Sequence, residues 1–440
     1  MLFAGVVNAT SVNFSKEQKN EDVKDHLENH FKLYGFIRNY LTYNSRESVD
    51  GTQDLFYYRP FDEKFNALGE DLNEMSSVRF MSLTTRLGLN VSGYKIGKTN
   101  FGAKIETDFY CMNGVTATLR LRQAYLTLGW DNLSHNSDSN IKGRLLVGQT
   151  WHPFAVDMPS TISLEVGAPF NPFSRTPMIA MDTYFSDNFS LTAAALWQMQ
   201  YLSTGPKGNS TAYLNYSCIP ELYLGLTYKT GGFKVKTGVD FLSIKPRTTG
   251  EVESEDPNTL LPLLVERKVS DRLNTLSSYI YLEYKKDKFS INGKSTYGAS
   301  GEHMSLFGGY VISNMVNKDG HYDYTPINSS SNWLHVSYGK KLKWMMLLGY
   351  YKNLGTKAEV KSLVAKNIFF NKNGAINLNS MYRIEPAVSY DLGKFTIGLE
   401  YNYTAAQFGD GLKFDSHALS TDGLHWVGNH RIQTMIKFTF

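Results

Sequence analysis

Charged side chains fall at every second position in two neighbouring stretches of the chain. In F-G-A-K-I-E-T-D-F-Y-C, Lys104, Glu106 and Asp108 share one face, opposite Phe101, Ala103, Ile105 and Phe109. In T-L-R-L-R-Q-A-Y, Arg120 and Arg122 share a face, opposite Leu119 and Leu121. Arg38, Arg86, Arg175, Arg383 and Arg431 stand on the polar faces of similar stretches. A guanidinium stays charged at any relevant pH, so a column of them along a narrow, low-dielectric passage lowers the barrier for anions. Glu106, Asp108, Glu165 and Glu385 carry the opposite sign, which predicts a field across such a passage. Salt bridges that only stiffen a wall would use the same residues, and spacing alone weighs the two readings evenly.

A second stretch has a different character. Thr150 to Arg175 (T-W-H-P-F-A-V-D-M-P-S-T-I-S-L-E-V-G-A-P-F-N-P-F-S-R) holds Pro153, Pro159, Pro169 and Pro172 among aromatics, so it is stiff. Such a loop solvates poorly when it stands in water. Turning inward buries Trp151, Phe154, Phe170 and Phe173 and sets Asp157 and Glu165 inside, which makes residues 152–174 the expected constriction. The competing expectation is an external lid or a subunit-contact loop.

Other chemistry is thin. His335 and Ser337 share a face in W-L-H-V-S-Y, but hydrolytic catalysis also needs an orienting third group, and none is evident. His321 and Asp323 are two candidate metal ligands on a loop, too few for a site. Phosphate-binding glycine motifs and C-x-x-C pairs are absent, so no catalytic residue, metal or cofactor is expected. Cys111 and Cys218 fall in expected strands and read as free, lipid-facing thiols, the alternative being a disulfide in an oxidising compartment that nothing in the spacing specifies. A net charge of +4 is too small to suggest nucleic acid.

The elements that would position these residues are strands. In the last stretch, Gly428 to Phe440, Ile432, Thr434, Ile436, Phe438 and Phe440 alternate with Arg431, Gln433, Met435, Lys437 and Thr439. An oily face and an open edge would be a hazard in a soluble sheet, and both vanish if the strand closes a barrel in lipid. Aromatics make up 14 % of the chain, with 28 Tyr and 26 Phe, yet mean hydropathy is −0.31. No run of about 18 apolar residues is present to form a transmembrane helix, whereas barrel strands average out as mildly polar.

About sixteen such strands can be read, an even number, starting at Phe31–Asn44, Val78–Ser92 and Phe101–Cys111 and ending at Asn429–Phe440. Tight turns, as at Ser186-Asp187-Asn188, Thr230-Gly231-Gly232 and Lys340-Lys341-Leu342, alternate with long connections such as Pro246–Arg272, Gly301–Ser331, Leu354–Met381 and Phe408–Gly428. That asymmetry is the periplasmic and external sides of an outer-membrane barrel. Two connections depart from it: Asp131–Asn140 is long, and Met112-Asn113-Gly114 is a tight hairpin on the external side. The expected organisation is residues 1–9 as the end of a signal peptide, 10–29 as a charged periplasmic tether, and 30–440 as an all-β transmembrane barrel.

Over roughly Phe80 to Phe185 the chain resembles the DcaP-like trimeric porins, through R-L-R-Q-A-Y (Arg120–Tyr125), L-L-V-G-Q-T-W (Leu145–Trp151) and the proline-rich loop that follows. G-A-P-F-N-P-F-S-R (Gly167–Arg175) is similar to barrel porins of Bacteroidetes. The resemblance implies a homotrimer in the outer membrane of a Gram-negative bacterium, surrounded by lipid, passing small hydrophilic solutes and preferring anions such as small carboxylates. Phe440 resembles the terminal signal read by the barrel-assembly machinery. The rival readings are a barrel hydrolase and a plugged structural or adhesin barrel.

Overall fold

The computed structural model describes residues 30–52, 55–111, 117–133, 141–255, 262–316, 319–363, 377–410 and 414–440. The expectations for residues 1–29, for the Met112-Asn113-Gly114 hairpin and for most of Asp131–Asn140 lie outside the described residues.

Among the described residues, sixteen antiparallel wall strands close into one barrel. They are β1 (Phe31–Asn44), β2 (Ser77–Met81, resumed at Arg86–Ile96), β3 (Thr99–Tyr110), β4 (Thr118–Trp130), β5 (Lys142–Trp151), β6 (Arg175–Tyr184), β7 (Phe189–Leu196) and β8 (Glu221–Thr230), followed by β9 (Phe233–Ile244), β10 (Leu273–Lys286), β11 (Phe289–Ala299), β12 (His321–Gly339), β13 (Leu342–Thr356), β14 (Leu378–Asp391), β15 (Phe395–Phe408) and β16 (His425–Thr439). Each pairs with its sequence neighbours. The seam is β1 against β16, in register from Phe36↔Thr439 to Asn44↔Arg431. At its foot the Phe440 amide donates to Gly35 O (3.1 Å) and the Gly35 amide to Phe440 O (3.2 Å), while a Cβ at Gly35 would meet the Phe440 ring at 2.7 Å. Glycine there lets the terminal ring lie on the seam.

Alternation divides each strand between two media. On β16, Ile432 and Ile436 are 46 % and 54 % exposed, whereas Arg431 and Gln433 are each 1 % exposed. The outward series Leu222, Leu224, Leu226 on β8 and Ile397, Leu399, Tyr401 on β15 continues the same belt around the wall. Near the tight turns it ends in a ring of aromatics that includes Phe189, Phe233, Phe289, Trp344 and Phe395, as the polar–apolar boundary of a bilayer requires.

Two sequence expectations need correction, and one segment takes a place that none foresaw. The connection Gly301–Ser331 is largely strand: Gly309–Val316 pairs with the start of β12, which begins at His321 because H-Y-D-Y-T-P-I keeps the two-residue period. Cys218 is not in a strand but follows the short helix Ala212–Asn215 with φ of 57°, and Cys111 is buried at the end of β3, so neither is a lipid-facing strand thiol. The segment between β1 and β2, to which no role was assigned, carries the hairpin Ser48–Gly51 and Phe56–Pro60, which turns into the barrel and buries Leu55, Phe56 and Tyr57.

The interior is therefore filled on one side. Residues 152–174, the hairpin and the turn Glu302–Met304 meet the inner faces of the wall in two apolar clusters. One gathers Phe154, Phe170, Tyr279, Phe307, Trp333 and Tyr351; the other gathers Tyr40, Phe56, Ile162, Leu164, Phe173 and Met345. Sixteen strands leave an aqueous lumen when nothing fills them, so what remains open is decided by these inward segments.

Candidate functional site

The loop 152–174 is held to the wall by polar pins between apolar contacts. Lys294 on β11 donates to Phe154 O (2.8 Å), Val156 O (2.7 Å) and Asn171 Oδ1 (2.9 Å), and the Trp333 indole also donates to Asn171 Oδ1 (3.0 Å). Asp157 pairs with Lys234 and with Lys236, the latter at 3.3 Å, both on β9. Burial alone would push the Asp157 carboxyl up, but Lys236 and Lys234 hold it below its ordinary value. Across the lumen, Glu400 on β15 accepts from the amides of Ile162 (2.7 Å) and Ser163 (3.2 Å), and Tyr40 on β1 donates to Ile162 O (3.0 Å).

Between the pins, side chains of the loop sit in sockets left by wall glycines. A Cβ at Gly349 would lie 2.6 Å from the Phe170 ring, and one at Gly398 would lie 2.3 Å from Ile162 Cδ1. Fully burying a side chain such as Phe154 or Phe170 contributes about 1.5–3 kcal/mol. The loop is thus a fixed part of the inner wall.

Facing it, the inner surface of β1 to β4 stays accessible. Arg86, Lys104 and Arg120 keep 20–23 % of their side chains exposed, and Arg38 is half-buried. Arg120 bonds Asp108 through Nε and Nη2, each at 3.0 Å. Arg122 bonds Glu106 (2.9 Å) and Asp108 (2.6 Å), and Gln123 and Tyr34 also donate to Glu106. Arg86 lies 3.6 Å from Glu106, and Arg38 donates to Thr84 Oγ1. Four cationic side chains thus surround two carboxylates and Arg38 adds a fifth charge beside them, leaving the arc positive after every pairing. These pairs tie β1 to β4 together and leave parts of Arg86, Lys104 and Arg120 in reach of water. Beside the arc is a cavity of about 640 Å³ lined by Arg120, Arg122, Tyr58, Tyr110, Phe173 and Tyr201.

Other residues expected at the pore lie behind the inward segments. Arg383 donates to Ala168 O (3.1 Å), Tyr57 O (3.3 Å), Tyr58 O (3.2 Å) and Thr404 Oγ1 (2.9 Å), and lies 3.6 Å from Glu165 and 3.7 Å from Glu385. Arg431 is enclosed with them against Asn44 and Tyr57. Arg175 is buried among Trp151, Phe173 and Tyr201 and donates to the Tyr201 hydroxyl (3.2 Å). Of the four carboxylates expected to supply the opposite sign, Glu106 and Asp108 share the arc of the arginines, and Glu165 and Glu385 are sealed under the loop. Period-two spacing tells which face a residue takes, not whether a loop covers that face.

The minor candidates do not converge. His335 is buried with its Nδ1 3.0 Å from Asn292 Oδ1 rather than on a carboxylate. His321 Nδ1 contacts Asp271, while Asp323 accepts from Asn314 (3.1 Å). Sequence reading missed a buried group of His152, Glu221, Asp240 and His303, whose members are too far apart in the chain for any spacing rule. It also missed Lys294 and Glu400, which look like ordinary lumen-facing residues until the loop is in place.

No protein-family model matches the sequence, and no curated protein does. Among solved structures, the chain is similar to the outer membrane channel DcaP of Acinetobacter baumannii (18 % identity, TM-score 0.60), over 93 % of this chain and 97 % of that one. It is also similar to OmpT, an outer membrane protein of Vibrio cholerae (11 %, TM-score 0.50), and to Salmonella typhi OmpF in complex with daunomycin (10 %, TM-score 0.50), again over 93 % and 97 % of the two chains. At such identities the likeness establishes the fold. Together with the apolar belt, the closed barrel is that of an outer-membrane protein of a Gram-negative bacterium, built as porins are.

Proposed function

We propose that this barrel is a porin, a passive channel for small hydrophilic solutes that favours anions such as small carboxylates. The observation that carries the reading is the arc in which Arg38, Arg86, Lys104 and Arg120 stay accessible, with Arg122 buried behind them on Glu106 and Asp108, facing a loop whose own carboxylates, Asp157 and Glu165, are turned to wall cations. A diffusing anion meets uncompensated positive charge at the narrowest part of its path, and a cation meets the same charge as a barrier. Trp151, Phe154, Phe170 and Phe173 shape the passage by packing the loop, while Arg175, Arg383, Glu385 and Arg431 hold it in place.

Assembly as a homotrimer, a relation to the DcaP-like porins and a role for Phe440 in delivery to the barrel-assembly machinery belong to the same reading. They rest on the resemblance and on the position of Phe440 at the seam. The test is electrical. Purified protein in a planar bilayer should give stepwise conductance increases, and substituting gluconate for chloride should reduce the current more than substituting a bulky cation for potassium. Correctly folded protein that does not conduct would sink the porin reading, and the opposite ranking would remove the anion preference alone.

A further inference from the structure

At the root of the constriction loop, four side chains from separate parts of the chain meet away from solvent. His152 opens the loop, Glu221 and Asp240 face inward from β8 and β9, and His303 lies in the Glu302–Met304 turn. Their exposures are 0 %, 1 %, 1 % and 2 %. His152 Nε2 lies 3.0 Å from Glu221 Oε1 and 3.9 Å from Asp240 Oδ1, and one donor atom from each of the three residues falls within 4.8 Å of the others. His303 Nε2 approaches the same Glu221 oxygen to 2.9 Å.

We propose that His152, Glu221 and Asp240 bind one divalent first-row transition-metal ion of the zinc class, which clamps the root of the loop to the wall. An ion bonded to nitrogen and oxygen at about 2.0–2.2 Å spaces its ligand atoms by roughly 3–4 Å, and the two distances from His152 Nε2, 3.0 and 3.9 Å, fall in that range. Asp240 Oδ1 is buried and has no hydrogen-bond partner, although it is turned toward the imidazole. A buried carboxylate oxygen left unpaired is costly, and an ion between the three donors removes that cost. The imidazole favours a transition ion over calcium or magnesium, which prefer all-oxygen sites. His303, bonded to Glu221, fixes the direction of that carboxylate as the outer partners of metal ligands do.

In the metal-free arrangement the Phe154 amide donates to His152 Nδ1 over 3.2 Å, so the ring proton is on Nε2 and points at Glu221. When the ion binds, that proton moves to Nδ1 and the long Phe154 contact is given up. Because all four residues are sealed, the ion is taken up as the inward segments close during folding.

The experiment compares full-length protein refolded with zinc chloride and protein refolded with a chelator, each desalted and analysed for metal. One zinc per chain is expected in the first and none in the second. Asp240→Asn removes the carboxylate ligand with little change of shape and should abolish the stoichiometric zinc, while His303→Gln should weaken binding by about tenfold or more. Cobalt in place of zinc should give visible ligand-field bands in the wild-type protein that Asp240→Asn lacks. Folding of each variant is checked by its heat-modifiable mobility on gels. Wild-type protein that folds in excess zinc and retains none overturns the proposal, as does equal retention by wild type and Asp240→Asn; either result leaves a proton-shared network of Glu221, His152 and His303 as the description of the group.

Discussion

Replacing Lys294 with Met should loosen the constriction without unfolding the barrel. The methionine keeps the length and apolar stem of the lysine, so the wall stays filled, but three donated bonds to Phe154 O, Val156 O and Asn171 Oδ1 are lost. A bond from a charged donor contributes about 1.5–3 kcal/mol net, and such bonds are not additive when they share one group. The partners are neutral oxygens, so no charge is orphaned, and leaving buried acceptors unsatisfied costs about 1–3 kcal/mol, which is the figure to expect here. At about 1.4 kcal/mol per tenfold, release of the loop root becomes roughly five to a hundred times more frequent. Release is local, because Asp157 keeps its two lysines and Ile162 keeps Glu400. In single-channel recordings the variant should show more open-state noise and brief conductance changes, and proteinase K should cut between Phe154 and Ser160 faster than in the wild type. Refutation would be a folded Lys294→Met protein with wild-type noise and wild-type protease resistance, because the loop would then not depend on this pin.

Arg38→Glu alters the arc with little structural cost, since Arg38 bonds a threonine hydroxyl and not a carboxylate; a unit charge about 8 Å from the path in water is worth about 0.5 kcal/mol, so the two-charge change moves anion and cation by about 1 kcal/mol in opposite directions and should lower their permeability ratio by roughly tenfold or more in bi-ionic measurements at low salt. Gly398→Val should push Ile162 from its socket and detach the far end of the loop, giving lower thermal stability and altered conductance, whereas the same change at Gly69, where a Cβ meets nothing but φ is 81°, should leave conductance alone. Asp157, whose folded value is depressed, stabilises the loop fully above the ordinary carboxylate range and loses that contribution as pH falls through the depressed value; conductance noise should therefore be flat from neutral pH down to about 4 and rise only in stronger acid, and Asp157→Asn should show the acid noise at neutral pH.

How far sequence leads is clear from particular residues. Period-two alternation fixed the two faces of β16, and the pairing of Phe31–Asn44 with Asn429–Phe440 follows from closing the edge, as the register Leu41↔Thr434 bears out. The inward turn of 152–174 was legible because four prolines and buried-sized aromatics suit a packed loop. The hairpin Ser48–Pro60 was not, because its short apolar run lies between charged turns and reads equally well as external. Arg383 and Arg431 have the same local pattern as Arg38 and Arg86, yet two of them are covered and two are not; the difference is made by Phe170 and Ile162 finding Gly349 and Gly398 across the lumen. Contacts of that sequence separation leave no trace in local periodicity.

The central claim is that uncompensated positive charge at the constriction sets the traffic. The most direct measurement is the zero-current potential of the wild-type channel across a potassium chloride gradient, where the two ions have similar mobilities in free solution. A potential of the sign set by chloride moving down its gradient, shrinking as total salt rises and screens the arc, is what the arc of Arg38, Arg86, Lys104, Arg120 and Arg122 predicts. A potential of the opposite sign would contradict it.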